Sequence, residues 1–369
     1  MSDNLRRFQA VRTALNKYYP QTDSKRRQRH LTTLAAMVAG IVAAGSSQLP
    51  KMAQKAPDKT KTESRVKRFT RFIQNKRITY EGFFMPCARD VVVSLSAKQP
   101  LLVVFDGSAI GRGCAILMAS VIYGKRALPI AWLVKRGKKG HFSAEDHLWL
   151  FEQVRALVPD GADVIFLGDG EFDSVALQRA LDRAGWNYVC RTACSTLVTD
   201  GTTSCAIGAL MPFSGEHYLS MPGASVTQAL YGPVHVVVWH ERRYAEPVYL
   251  VTTLELAEEA LHWYRHRFAI ETLFSDQKSR GFHLHKSHLS DPERLSRLLL
   301  AASLAYLWMV YLGVTALHQG WYKQFHRSDR VDLSLFQLGL RLLDHMLNEA
   351  WELLVAFIPP PRDPLQSVR

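Results

Sequence analysis

The chain has few cysteines. Its 369 residues include five cysteines, Cys87, Cys114, Cys190, Cys194 and Cys205, and no CxxC pair. The count is odd and Cys114 lies in an apolar, strand-like run, so the thiols read as reduced and structural, as in a cytosolic protein. A zinc site through Cys190 and Cys194 is the weaker alternative. No signal-type segment opens the chain, and the expected location is cytoplasmic, bacterial and nucleoid-associated. Long apolar runs are scarce too. Leu298 to Leu317 is twenty residues without a charge, long enough to span a bilayer. There is no convincing second span, because Leu31 to Pro50 is uncharged but carries Thr32, Thr33, Ser46, Ser47 and Gln48. A helix buried in a large domain gives the same pattern, so no membrane is expected.

Acidic residues are missing from one end. Residues 1–90 hold 19 Lys/Arg against 6 Asp/Glu, while the remaining 279 residues hold 27 of each. The whole net charge of +13 therefore sits in the N-terminal quarter. A confined basic excess is the footprint of a polyanion-binding module.

Residues 1–95 read as a helical, basic, DNA-binding domain. Leu5 to Tyr19 is amphipathic, the basic run Lys25–Arg29 leads into an apolar helix over 31–45, and Ser46 and Ser47 cap a short helix. In the helix Thr62 to Gln74, Val66, Phe69, Phe72 and Ile73 face inward and Arg65, Lys67, Arg68 and Arg71 spread over the outer face. Helix, turn and basic helix are compatible with major-groove or backbone binding, and a plain bundle fits equally.

Pro100 opens a different texture. Apolar strands over 101–105, 114–122 and 128–134 form an antiparallel meander, with a turn at 124–126. A helix over 145–157, a strand over 163–167, a helix over 173–184 and a strand over 186–191 follow, in the order β-β-β-α-β-α-β. Residues 194–254 are rich in Ser, Thr, Gly and Pro and read as a β-rich insertion, with strands at 234–239 and 248–252. The core resumes over 255–320, and a C-terminal helical region, 321–369, carries a helix over about 333–357. The fold class is α/β: a mixed sheet flanked by helices, its first part 96–193 and its second part 255–320.

The densest chemistry lies in WYRHRFAIETLFSDQKSRGFHLHKSHL, residues 263–289. On one α-helix of about 3.6 residues per turn, Tyr264, Arg267, Glu271 and Lys278 fall within an arc of roughly 60°. A phenol, a guanidinium, a carboxylate and an ammonium would then share a row about 20 Å long. Asp106 and Asp169 each follow an apolar strand, in VVFDGS and LGDGEFDS. One acidic strand end is ordinary turn chemistry. Two of them, with a carboxylate on a later helix, make a candidate divalent-metal site, since hard oxygen ligands select Mg²⁺ or Mn²⁺. Glu171 and Asp173 lie beside Asp169, and Asp173 reads as the cap of the next helix.

These motifs resemble the DDE transposases of the IS4 family, within the RNase H-like superfamily. Tyr264, Arg267, Glu271 and Lys278 match that family's Tyr-x2-Arg-x3-Glu-x6-Lys signature in type and spacing, and Asp106 and Asp169 match its two catalytic aspartates in order. The resemblance spans about residues 25–320. It implies an RNase H-like core in which Asp106, Asp169 and Glu271 hold two Mg²⁺ ions, with Mn²⁺ able to substitute. Water would nick double-stranded DNA at the element end, and the freed 3′-OH would attack first the opposite strand, giving a hairpin, and later target DNA. Tyr264, Arg267 and Lys278 would grip phosphates near the cleaved end. A homodimer would synapse two ends. Arg forks onto phosphate oxygens, Lys acts as a point charge and Tyr donates one hydrogen bond. No protein nucleophile is required.

The resemblance also implies an insertion-borne Trp that stacks on a flipped base, for which Trp239 is the candidate; a buried aromatic is the equal alternative. Lys135, Arg136, Lys138, Lys139 and His141 form a basic loop that contacts DNA backbone or solvent. His283, His285 and His288 read as phosphate contacts or plain surface. Another RNase H-like nuclease or resolvase, and a non-catalytic DNA-binding descendant, are the competing functions.

Overall fold

The computed structural model describes residues 1–19, 24–97, 100–138, 140, 142–212, 217–240, 246–328 and 332–360. The N-terminal helices are α1 (Asp3–Tyr18), α2 (Lys25–Ala44), α3 (Leu49–Gln54), α4 (Thr62–Gln74), α5 (Tyr80–Phe83) and α6 (Met85–Ser96). The meander follows as β1 (Leu101–Ile110), β2 (Cys114–Tyr123) and β3 (Arg126–Arg136). Next come α7 (Ala144–Arg155), β4 (Val164–Gly168), α8 (Val175–Arg183) and β5 (Asn187–Arg191). The insertion forms β6 (Leu197–Thr199), β7 (Ser204–Ala206), β8 (Tyr218–Val226), β9 (Tyr231–Trp239) and β10 (Val248–Thr252). The chain closes with α9 (Ala257–Tyr264), α10 (Ala269–Gln277), α11 (Pro292–His318) and α12 (Leu335–Asn348).

One sheet runs through the molecule in the order β3-β2-β1-β4-β5-β10-β9-β8-β6-β7. β1, β2 and β3 pair antiparallel, and β4 and β5 join parallel to β1. This mixed sheet flanked by helices is the expected RNase H-like core. β1 and β2 are buried on both faces, which explains why their sequences run apolar without alternation. The insertion is not a separate layer: β10 pairs antiparallel with β5, so its strands lengthen the core sheet.

Four local expectations change. β1 does not stop at Asp106 but continues to Ile110, because Asp106 still pairs with Met118 of β2. α8 is capped by Ser174, whose hydroxyl accepts the Leu177 N–H, and not by Asp173. Gln48 rather than Ser46 or Ser47 occupies the N-cap of α3. α12 ends at Asn348, and the chain beyond it to Pro360 is not helical.

Among the described residues α11 is the one helix long and apolar enough to cross a membrane, and nearly all of that stretch is buried inside the protein. It is a core helix packed by α2, α4, α12 and β3. Its one buried cation, Arg297, is spent locally, donating to the carbonyls of Ile73 and Ile78 at 3.1 Å each and to Glu293 at 2.8 Å.

Two glycines let α11 and α12 approach closely. A Cβ at Gly313 would lie 1.8 Å from the Leu335 carbonyl oxygen, and one at Gly339 1.8 Å from that of Met309. Backbone cannot step aside as a flexible side chain can, so Gly339→Ala should destabilise by about 4 kcal/mol or more. Thermal unfolding should show a fall in Tm on the order of 10 °C. An unchanged Tm would mean that α12 is free to lift away.

Candidate active site

β1 and β4 run side by side in register from Leu101–Val164 to Val104–Leu167. Two residues further along stand Asp106, still inside β1, and Asp169, the first residue after β4. Continuing that register would bring them to one edge of the sheet, where neighbouring strands run about 4.8 Å apart. Asp106 is buried within β1. Asp169 opens a tight turn: its Oδ1 accepts the Glu171 N–H at 2.9 Å and its carbonyl accepts the Phe172 N–H at 3.0 Å. Gly168 makes that turn possible, since a Cβ there would meet the Phe172 Cβ at 2.9 Å and the Cys190 Sγ at 3.1 Å.

The neighbouring acids have other partners. Asp173 accepts the Thr192 hydroxyl at 2.8 Å, and burial pushes its carboxyl up. Glu171 points at the buried His147, with 3.9 Å between Oε1 and Nε2.

The signature residues are not on one continuous helix. Tyr264 ends α9, Arg265–Phe268 form a 3₁₀ turn, and α10 begins only at Ala269. Lys278 is the residue after α10, with φ −103° and ψ −108°. The tighter 3₁₀ winding breaks the straight stripe, and the four side chains meet through contacts instead. Tyr264 is buried, and its hydroxyl is pushed up to about 12, chiefly by burial, with Arg267 and Arg191 pulling down and Asp169 pushing up. The Arg267 guanidinium lies 5.9 Å from the centre of the phenol ring. Arg267 is also buried; its Nη2 donates to Glu271 Oε1 at 3.2 Å and its guanidinium lies 4.4 Å from the Phe268 ring centre. Lys278 donates to the Ser108 hydroxyl, two residues past Asp106 and on the same face of β1. The end of α10 is thereby tied to the strand that carries the first aspartate.

Two carboxylates on adjacent strands are a fitting start for a hard cation. The third does not join them: the Glu271 side chain is 57% exposed and engaged by Arg267. Among the described residues no group of three His, Cys, Asp or Glu side chains is gathered to hold a metal ion, by Cys190 and Cys194 or otherwise.

The remaining candidates separate clearly. Trp239 ends β9 as expected but is 1% exposed, with the Arg265 guanidinium 5.0 Å from its ring centre. A stacking platform must offer a face, so the buried-aromatic alternative describes this ring. Arg65 is largely covered, whereas Arg68 stays partly exposed. Both bind Asp58, at 3.1 and 2.7 Å, and against the upward push of burial the Thr60 hydroxyl and then Arg68 hold that carboxyl down at about 2. Arg71 and Lys67 are exposed. Lys138 is exposed, Lys135 is paired with Asp146, and Lys139 and His141 lie outside the described residues.

Sequence reasoning missed Phe268. It is 42% exposed between Arg267 and Glu271, an aromatic face beside the signature. Its only signal was adjacency to Arg267, which a continuous helix disguises. Also missed was the buried pair Arg126–Asp276, at 2.8 Å, which fastens α10 to β3.

The large mixed sheet flanked by helices is consistent with an RNase H-like core. The chain belongs to the transposase DDE domain family, whose model matches residues 109–308. Asp169 and all four signature residues fall inside that match, and Asp106 lies three residues before it. The comparison with curated proteins finds no match. Among solved structures, one likeness is the cryo-EM structure of the piggyBac transposase synaptic complex with hairpin DNA, at 10% identity and a TM-score of 0.46, covering 95% of this chain and 82% of that one.

Proposed function

We propose that this transposase is encoded by an insertion sequence of the IS4 type, cuts double-stranded DNA at terminal inverted repeats, and joins the freed 3′ end to target DNA, with a hairpin as the intermediate. The observation that supports it is the register of β1 and β4, which leads Asp106 and Asp169 to one edge beside the Tyr264–Arg267–Glu271–Lys278 signature. Asp106 and Asp169 would hold divalent ions, with Glu271 as the third ligand. Two Mg²⁺ ions, or Mn²⁺ in their place, would supply activation of the attacking oxygen and stabilisation of the leaving one. The chain's own cations do the gripping. Arg267 shifts its fork from the exposed Glu271 carboxylate to a DNA phosphate when one competes for it. Glu271 is then free to turn toward the aspartates. Lys278 and the Tyr264 hydroxyl contact phosphate oxygens. A homodimer would hold two ends at once.

Incubation with end-bearing DNA and Mg²⁺ tests this directly. Joined strand-transfer products support a transposase; nicking without joining would leave only a nuclease. The aromatic contact to a displaced base falls to Phe268 in place of Trp239. Phe268→Ala should lower end cleavage about tenfold, within the roughly 1–3 kcal/mol of a base–aromatic stack. Cleavage at the wild-type rate would remove Phe268 from the site.

A further inference from the structure

Beyond Lys278 the chain makes a short loop, residues 283–288, with the sequence HLHKSH. Its backbone is held from two sides. On one, the Ser47 N–H donates to the Phe282 carbonyl at 2.6 Å and the Gln48 side chain to the Lys286 carbonyl at 2.9 Å, both from the α2–α3 connection. On the other, the Arg112 N–H at the β1–β2 turn donates to the Leu289 carbonyl at 2.7 Å, and the Cys114 thiol to the Ser290 carbonyl at 3.4 Å. Gly111 is required for that approach, since a Cβ there would lie 2.5 Å from the Leu289 oxygen. The His283 N–H donates to the Lys278 carbonyl at 2.9 Å, so the loop starts at the last signature residue.

Two features of this loop are unexplained by packing. His283 and His288 both adopt left-handed backbone, φ +50° and +59°, without being glycine. Such strain persists only where the surroundings impose it, and it clusters at binding sites. Moreover, His283 Nδ1, His285 Nδ1 and Ser287 Oγ are shielded from solvent and find no hydrogen-bond partner among the described residues. Three unpaired polar atoms within five residues are costly unless a ligand meets them. The local charge has one sign: the His285 ring is pushed down by burial and then by Lys286, His283 and Lys278. An anion would relieve both the missing hydrogen bonds and the crowding of cations.

We propose that His283, His285, Lys286 and Ser287 form a second phosphate subsite, which holds the DNA backbone next to the phosphate gripped by Lys278. The proposal rests on the DNA-cutting function above. Because the loop is anchored to both the N-terminal helices and the β1–β2 turn, it sets the path of the strand between the basic end of the chain and the aspartates. The imidazole N–H groups donate hydrogen bonds, and Lys286 supplies the charge.

The test is binding of a short duplex of arbitrary sequence, without divalent metal, over a range of salt. His283→Asn with His285→Ala keeps a residue tolerant of left-handed backbone and should weaken binding about tenfold. Lys286→Ala should lower the slope of log affinity against log salt by about one. His285→Gln, which keeps a donor, should recover most of the affinity lost by His285→Ala. Arg155→Ala, an exposed cation on α7 paired with Glu152, is the control and should change little. Equal thermal melting of the variants separates binding from folding. If Lys278→Ala weakens binding while the loop variants bind like wild type, the subsite is refuted and the wider function stands. Loss no greater than that of Arg155→Ala refutes it equally. If the wild-type protein shows no salt-dependent binding, both fall.

Discussion

Asp106→Asn and Asp169→Asn should each slow DNA cleavage by about a thousandfold or more while leaving DNA binding within about twofold. Three decades correspond to roughly 4 kcal/mol of transition-state stabilisation, the scale on which a charged ligand set acts at a developing oxyanion. Asparagine keeps the shape of aspartate, and at position 169 its amide oxygen still accepts the Glu171 N–H, so the turn survives. What disappears is the negative charge that a divalent cation needs. Loss of an acidic charge cannot weaken the grip on phosphate, so binding serves as the internal control. Asp173→Asn separates this assignment from its neighbour. Asp173 is already bonded to Thr192, and its neutralisation should leave cleavage within a few-fold of wild type. If Asp173→Asn abolished cleavage and Asp169→Asn did not, the second catalytic aspartate would have been misplaced.

How far the site could be read from the residues depended on whether the signal was local. Apolar runs of the right length located β1 through β5, because strands buried on both faces need little besides Val, Ile, Leu and Phe. The Tyr264–Lys278 spacing pointed to the right cluster but to the wrong geometry, because periodicity assumes one uninterrupted helix. Nothing in RHRF announces a 3₁₀ turn. The end of β1 was misplaced because Asp-Gly is a turn dipeptide, whereas cross-strand pairing with β2 carries the chain through it. The outward-facing reading of Arg65 and Arg68 left out their shared partner for a related reason. Helical position says where a side chain starts, and a single carboxylate, Asp58, ten residues or fewer away decides where both guanidiniums end. Long-range partners were not legible at all. Ser108 for Lys278 and Arg126 for Asp276 lie more than a hundred residues apart in sequence.

The last of those partners carries the second large effect. Asp276 sits on the buried face of α10, one residue before the helix ends at Gln277. Burial pushes its carboxyl up to about 6, and Arg126, followed by Arg280, pulls against that rise. Since the folded-state value lies above the ordinary 3.8, folding favours the protonated form. The stability this contributes is fully present below about pH 4 and is lost as pH rises through about 6. Above that, Asp276 is charged inside the protein and Arg126 is what makes the charge tolerable. Arg126→Met should therefore cost about 3–5 kcal/mol at neutral pH, the scale for breaking one side of a buried pair. The cost should shrink on going down toward pH 4, where the lone carboxyl takes up a proton. Arg126→Met combined with Asp276→Asn should regain most of the lost stability, because no buried charge is left without its partner. Denaturant unfolding of the three variants at several pH values measures this. A penalty that is the same at pH 4.5 and pH 8, or a double variant no better than the single, would show that α10 is held to β3 by its apolar contacts alone. The functional consequence follows from position: α10 carries Glu271 at its start and leads into Lys278 at its end. Loosening it from β3 should lower cleavage in Arg126→Met and restore it in the double variant, without touching any residue that meets DNA.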